Sequence, residues 1–171
     1  MHTLRQTSQR LICLSWLSVL LFLSACAVQL APTYDKEIVS TLANSNIDAM
    51  TMFATVANGT SAQDFSSRAD KYAGLIGKLD ALAIQAGARP QPKNKVTDAI
   101  NNILVQRGMA AVGEDANMPS VTAVKKISET VSKMRDVDQK QGLRALEVKA
   151  FKGQATLYFE QAITYENFLQ R

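Results

Sequence analysis

From Asp35 onward, apolar residues return at steps of three and four, the period of a helix buried along one side. Ile38, Leu42, Ala49, Phe53 and Val56 make the first such stripe, and Asn58-Gly59 ends it. The second stripe is the clearest: Phe65, Ala69, Tyr72, Ile76, Leu79, Ala83 and Ala86. Ser61 with Asp64 predicts its N-terminal cap, and Gly87 followed by Pro90 predicts its stop. The two prolines and missing periodicity of Gly87 to Asn94 predict a loop, and Val96, Ile100, Ile103 and Leu104 predict one face of a short helix. Gly108 to Met118 reads as an irregular connection. Pro119 suits a first helical turn, after which Val124, Ile127, Val131 and Met134 keep core spacing until Gly142. A last stripe runs through Leu143, Leu146, Ala150, Phe151, Ala155, Tyr158, Ala162, Tyr165 and Leu169.

No run of alternating β-branched residues predicts a strand, whereas 22 alanines follow Cys26. Four long amphipathic helices and one short one can bury their stripes only against each other. The expected fold is therefore all-α, an antiparallel helical bundle over residues 35–171. Asp64 with Arg68, Glu129 with Lys133 and Asp136 with Lys140 are acid-before-base pairs four apart, expected on exposed faces.

The first 25 residues have a different grammar. Arg5 and Arg10 precede the apolar run Leu11 to Leu23, and small residues precede Cys26, the layout of a secretory signal. Leu23-Ser24-Ala25-Cys26 resembles the lipobox of bacterial lipoproteins. The resemblance covers about the first 27 residues and implies a signal peptide over 1–25, cleavage before Cys26, and a diacylglycerol (palmitate-bearing) thioether on that cysteine. It further implies acylation of the new amino group, with residues 26–34 as lipidated N-terminus and tether. Two or more acyl chains anchor stably where one is marginal. In that family Asp after the cysteine retains a protein in the inner membrane; Ala27 here implies the outer membrane, with the bundle facing the periplasm. The alternative is an uncleaved membrane helix, since Leu11 to Ala31 is long enough to span.

Cleavage would change the chemistry of the chain. The only histidine, His2, the only tryptophan, Trp16, and Cys13 lie in the segment to be removed. The net charge falls from +4 to +2, which argues against a nucleic-acid partner. Without imidazole there is no Ser-His-Asp or Cys-His relay and no His-based metal site. A calcium loop from Asp136 and Asp138 to Glu147 fails at Lys140, where an oxygen ligand belongs, and at Gln141, where glycine belongs. No catalytic set, metal or cofactor beyond the covalent lipid is expected.

Gly74 and Gly77 interrupt the strongest helix and need a reason. One reading is close approach of a neighbouring helix beside Ala73 and Ala81, under which Gly77→Leu destabilises. The other is a cavity near Tyr72, Gly74 and Gly77 that binds a ligand, under which it stabilises. Tyr158, Tyr165 and Phe151 are core candidates, and Met109, Val112 and Met118 either tuck onto the bundle or form an apolar lip. The expected function is that of a non-enzymatic envelope lipoprotein, a binding, adaptor or structural bundle whose partner is an envelope protein or cell-wall component. The alternative is a carrier or sensor of a small apolar ligand held between the helices. A glycan hydrolase would need two converging acids, and no such pair stands out.

Overall fold

The structure is a computed structural model and describes residues 31–90, 102, 103, 105–107 and 118–170. These belong to one of the chain's two compact units, Ala31–Arg171. Cys26, Met109, Val112 and the signal segment lie outside the described residues.

Four helices carry the fold: α1 (Lys36–Thr55), α2 (Ser66–Gly87), α3 (Pro119–Gln141) and α4 (Ala145–Phe168). A 3₁₀ turn, Ala62–Asp64, precedes α2, and no strand occurs among the described residues. At 1.5 Å per residue each helix spans about 30–36 Å. Helix α1 packs on α2, α2 on α3, α3 on α4, and α4 back on α1. Neighbours are antiparallel: the start of α2 meets the end of α3 through Arg68 and Asp138, and its middle meets α3 through Asp80 and Ser128. The result is the expected antiparallel helical bundle, with the α1–α2 and α3–α4 connections at one end.

Local chemistry sets the boundaries. Asp35 caps α1, accepting from the backbone N–H of Glu37 at 2.8 Å and of Ile38 at 3.3 Å. Ser61 caps the 3₁₀ turn and Pro119 opens α3. At the start of α4 the Glu147 carboxylate accepts from the backbone N–H of Arg144 at 2.9 Å. One core cluster fills the square, built from Leu42, Phe53, Tyr72, Leu79, Ile127 and Phe159 with their neighbours. Ile38, Leu42, Ala49, Phe53 and Val56 are buried as their spacing predicts, and so are Val124, Ile127, Val131 and Met134. Met118 tucks in as well, at 3% exposure.

The last helix is turned from its predicted face. Val148, Ala155, Phe159, Ala162 and Glu166 are buried, while Leu146 is 77% exposed and Ala150 faces solvent. Tyr158 and Tyr165 are half-buried on its flank. Apolar residues occupy more than one side of α4, so spacing alone does not single out the inner one. What decides is the contact with both α3 and α1, which turns Glu166 inward. Of the expected short helix, Val96, Ile100 and Leu104 lie outside the described residues; Ile103 is helical but 51% exposed, facing water.

The three predicted surface pairs are not those formed. Arg68 bonds the Asp64 backbone carbonyl while its charge goes to Asp138, Glu129 pairs with Lys126, and Asp136 pairs with Arg135. Residues three or one apart, or on another helix, reach these groups in preference to the partner four residues away.

Candidate functional site

The bundle is closed at each end by a buried arginine–carboxylate pair, one arginine in the first turn of α2 and the other just past its last. At one end Arg68 reaches across to α3, with Nε donating to Asp138 Oδ2 at 2.9 Å and Nη2 to Oδ1 at 2.8 Å. The Tyr72 hydroxyl donates to Oδ2 at 3.1 Å and the Thr60 hydroxyl to Oδ1 at 2.5 Å, so Asp138 accepts four hydrogen bonds while fully buried. Burial opposes its charge, yet the bonds from Arg68, Thr60 and Tyr72 outweigh burial and hold its pKa below the usual aspartate value. The hydrogen bond to Asp138 raises Arg68, and burial followed by the Asp138 charge pushes the Tyr72 phenol far up, keeping it protonated. Phe65 stacks on Tyr72 with ring centroids 6.0 Å apart.

Thr60 also ties the two connections together. Its backbone N–H donates to the Leu143 carbonyl at 2.8 Å, and the Leu143 N–H returns a bond to the Thr60 hydroxyl at 2.8 Å. The chains can come this close only because Gly59 and Gly142 lack side chains and adopt φ of +92° and +77°. A Cβ on Gly142 would stand 2.3 Å from the Thr60 carbonyl oxygen, and one on Gly59 2.6 Å from that of Leu143.

At the opposite end Arg89, just past α2, forms a two-bond pair with Glu166 of α4, at 2.8 and 2.5 Å. Their side chains are 6% and 0% exposed. Arg89 also donates to the Ala86 carbonyl at 3.3 Å and to the Thr33 carbonyl at 3.5 Å. Pro32 is buried, so the last residues of the expected tether lie on the bundle.

Of the three residues read as ligand-binding, Tyr72 is a core residue bound to Asp138, with no exposed surface. Gly74 lines a groove of about 350 Å³ between α1 and α2, while Gly77 lies a turn further on, facing outward. Close approach of another described helix is not their reason: among the described residues nothing lies within 4 Å of a Cβ built on either glycine. Each costs ~0.8–1 kcal/mol against alanine in a helix interior, with no packing contact in return. Gly77→Ala should therefore raise stability by about 0.5–1 kcal/mol and the melting temperature by roughly 2–5 °C. Gly77→Leu should also raise the melting temperature. A fall in helical circular dichroism at lower temperature than in the parent protein would contradict both.

A wider cavity of about 960 Å³ opens over the α1–α2 loop, bordered by Asn58, Ser67, Lys71 and Arg144. A third, apolar one of about 570 Å³ lies on the outer side of α4 against Pro119, with Leu157 and Tyr165 on its walls. The residues of the rejected calcium loop point apart: Asp138 goes to Arg68, Asp136 to Arg135 and Glu147 to Arg144. Sequence reasoning missed Asp138, Arg89 and Glu166 as buried charges. A carboxylate at a core position of the helical repeat was the available signal for Glu166, four residues after Ala162. No family model matches the chain, nor does any curated protein or solved structure.

Proposed function

We propose that the protein is a lipid-anchored envelope protein of the outer membrane, without catalytic activity, that presents the faces of its helical bundle to another envelope protein or a cell-wall component. The carrying observation is Leu23-Ser24-Ala25-Cys26 at the end of an apolar run that follows two arginines. The site geometry supports a binding rather than a catalytic role. Among the described residues the two fully buried carboxylates, Asp138 and Glu166, stand at opposite ends of the bundle, each committed to an arginine. A carboxylate pair acting on a glycosidic bond works across roughly 5–10 Å. No described helix is long and apolar enough to cross a membrane.

Cys26→Ser tests the reading directly. Lipid incorporation, followed by metabolic labelling with palmitate, should be lost, the uncleaved precursor should accumulate, and detergent-phase partitioning of the product should change. A variant still cleaved and acylated would remove the basis for both anchor and compartment. Crosslinking in intact cells then identifies the component that the bundle meets.

A further inference from the structure

The groove between α1 and α2 runs into the cavity over the α1–α2 loop, since Thr55 and Lys71 line both. Its floor is apolar, from Met52 and Leu75, which are 4% and 5% exposed. Its walls carry both signs of charge. Lys78 is tied to Asp48 across the two helices. About two turns back along α2, Asp70 and Lys71 line the same groove and have no hydrogen-bond or ion-pair partner in their side chains among the described residues. Between these charges sits Gly74, whose missing side chain leaves bare backbone as the wall, at a helix-propensity cost that no packing contact explains.

We infer that this groove recognises a short zwitterionic peptide, one that presents a free ammonium and a free carboxylate on a partly aliphatic frame. A purely anionic ligand would meet Asp48 and Asp70, and a purely cationic one would meet Lys71 and Lys78. A ligand carrying both groups satisfies Asp70 and Lys71 together, lays its aliphatic part on Met52 and Leu75, and brings its backbone close at Gly74. The volume, about 350 Å³, falls within the ~300–1,000 Å³ of small-ligand sites. Two sources share this chemistry, a cell-wall stem peptide and a free peptide. Choosing between them rests on the envelope location proposed above; the site itself does not.

The test uses the full chain in detergent micelles and the peptide Ala-Ala-Lys, dye-labelled at its N-terminus, with fluorescence anisotropy as the readout. Saturable binding is expected, weakened roughly threefold to tenfold when the lysine amine is acetylated, when the carboxyl is amidated, or in Lys71→Glu. Gly74→Leu should abolish binding while raising the melting temperature, and Gly77→Ala, outside the groove, should leave binding unchanged. Co-sedimentation with purified cell wall assigns the source: pelleting that Gly74→Leu prevents supports the wall, and peptide binding without pelleting supports the free peptide. Absence of saturable binding to peptide and wall alike, or binding that survives Gly74→Leu, overturns the site. A Cys26→Ser chain in the same detergent should give the same anisotropy, so failure of the anchor and failure of the groove are read separately.

Discussion

Asp138→Ala is expected to lower folding stability by about 3–5 kcal/mol, because it leaves the buried Arg68 guanidinium and the Tyr72 hydroxyl without the carboxylate that accepts from both. Against a typical total of ~5–15 kcal/mol, that is a large share. The loss belongs to breaking the pair rather than to lacking it. The double variant Arg68→Met with Asp138→Leu should recover the part that comes from the unpaired guanidinium, since an apolar pair leaves no buried charge, while the Tyr72 and Thr60 hydroxyls still lack their acceptor. Urea denaturation of the three proteins measures both effects, and a double variant no more stable than Asp138→Ala would contradict the account. The pH dependence has a definite sign. The Asp138 pKa is depressed in the fold, so its contribution is complete above the unfolded value of about 3.9 and fades as pH falls through the lower folded value. Asp138→Asn should therefore flatten this part of the acid limb of the stability curve. Glu129 and Glu147 are depressed too, by bonds to Lys126 and Arg144, but their partners stand in solvent and add little to that limb.

Gly142→Ala should cost about 2–5 kcal/mol, combining a backbone region open almost only to glycine with a collision that a side-chain rotation cannot relieve. With φ +77° and ψ 172°, Gly142 lies in that region, and its Cβ would meet backbone on three sides: the Thr60 oxygen at 2.3 Å, the Thr60 carbonyl carbon at 3.1 Å and the Ala62 nitrogen at 3.1 Å. Separating the two connections would also stretch the bonds between Thr60 and Leu143 and loosen the hydroxyl that serves Asp138. Denaturation midpoints should place Gly142→Ala well below the parent, opposite in direction to Gly77→Ala. A loss smaller than about 1 kcal/mol would show that the connections can part cheaply.

Much of this architecture could be read from residue order. Periodicity identifies four helices, Gly59, Gly142 and Pro119 mark their limits, and the inner faces of α1 and α3 follow from Ile38 to Val56 and from Val124 to Met134. Those faces are legible because a single apolar stripe stands against a polar background. Helix α4 has apolar residues on its flanks as well, and there the choice of face depends on neighbours that local spacing does not encode. Charged groups were the least legible. Asp138 reads as part of a solvated helix end, and Arg68 as the partner of Asp64, because proximity along a helix is the only proximity a sequence displays. Their true partners are 70 residues apart. Gly74 and Gly77 are conspicuous in sequence, but whether a second helix stands over them is a property of the packed bundle, and among the described residues none does.

Arg68 in the first turn of α2 and Arg89 just past its last make that helix a gauge for the whole assembly. Arg68 fixes its beginning to α3 and Arg89, just past its last turn, fixes its far end to α4, with the 20 intervening positions, roughly 30 Å of chain, held to length. Adding or deleting one residue between them would turn one end by about 100° and shift it by 1.5 Å against the other. One pair or the other would then have to open. Screw-like sliding of α2 against its neighbours meets the same two stops, and Asp80 with Ser128 adds a third along the way, so the bundle is held to a single register along its axis.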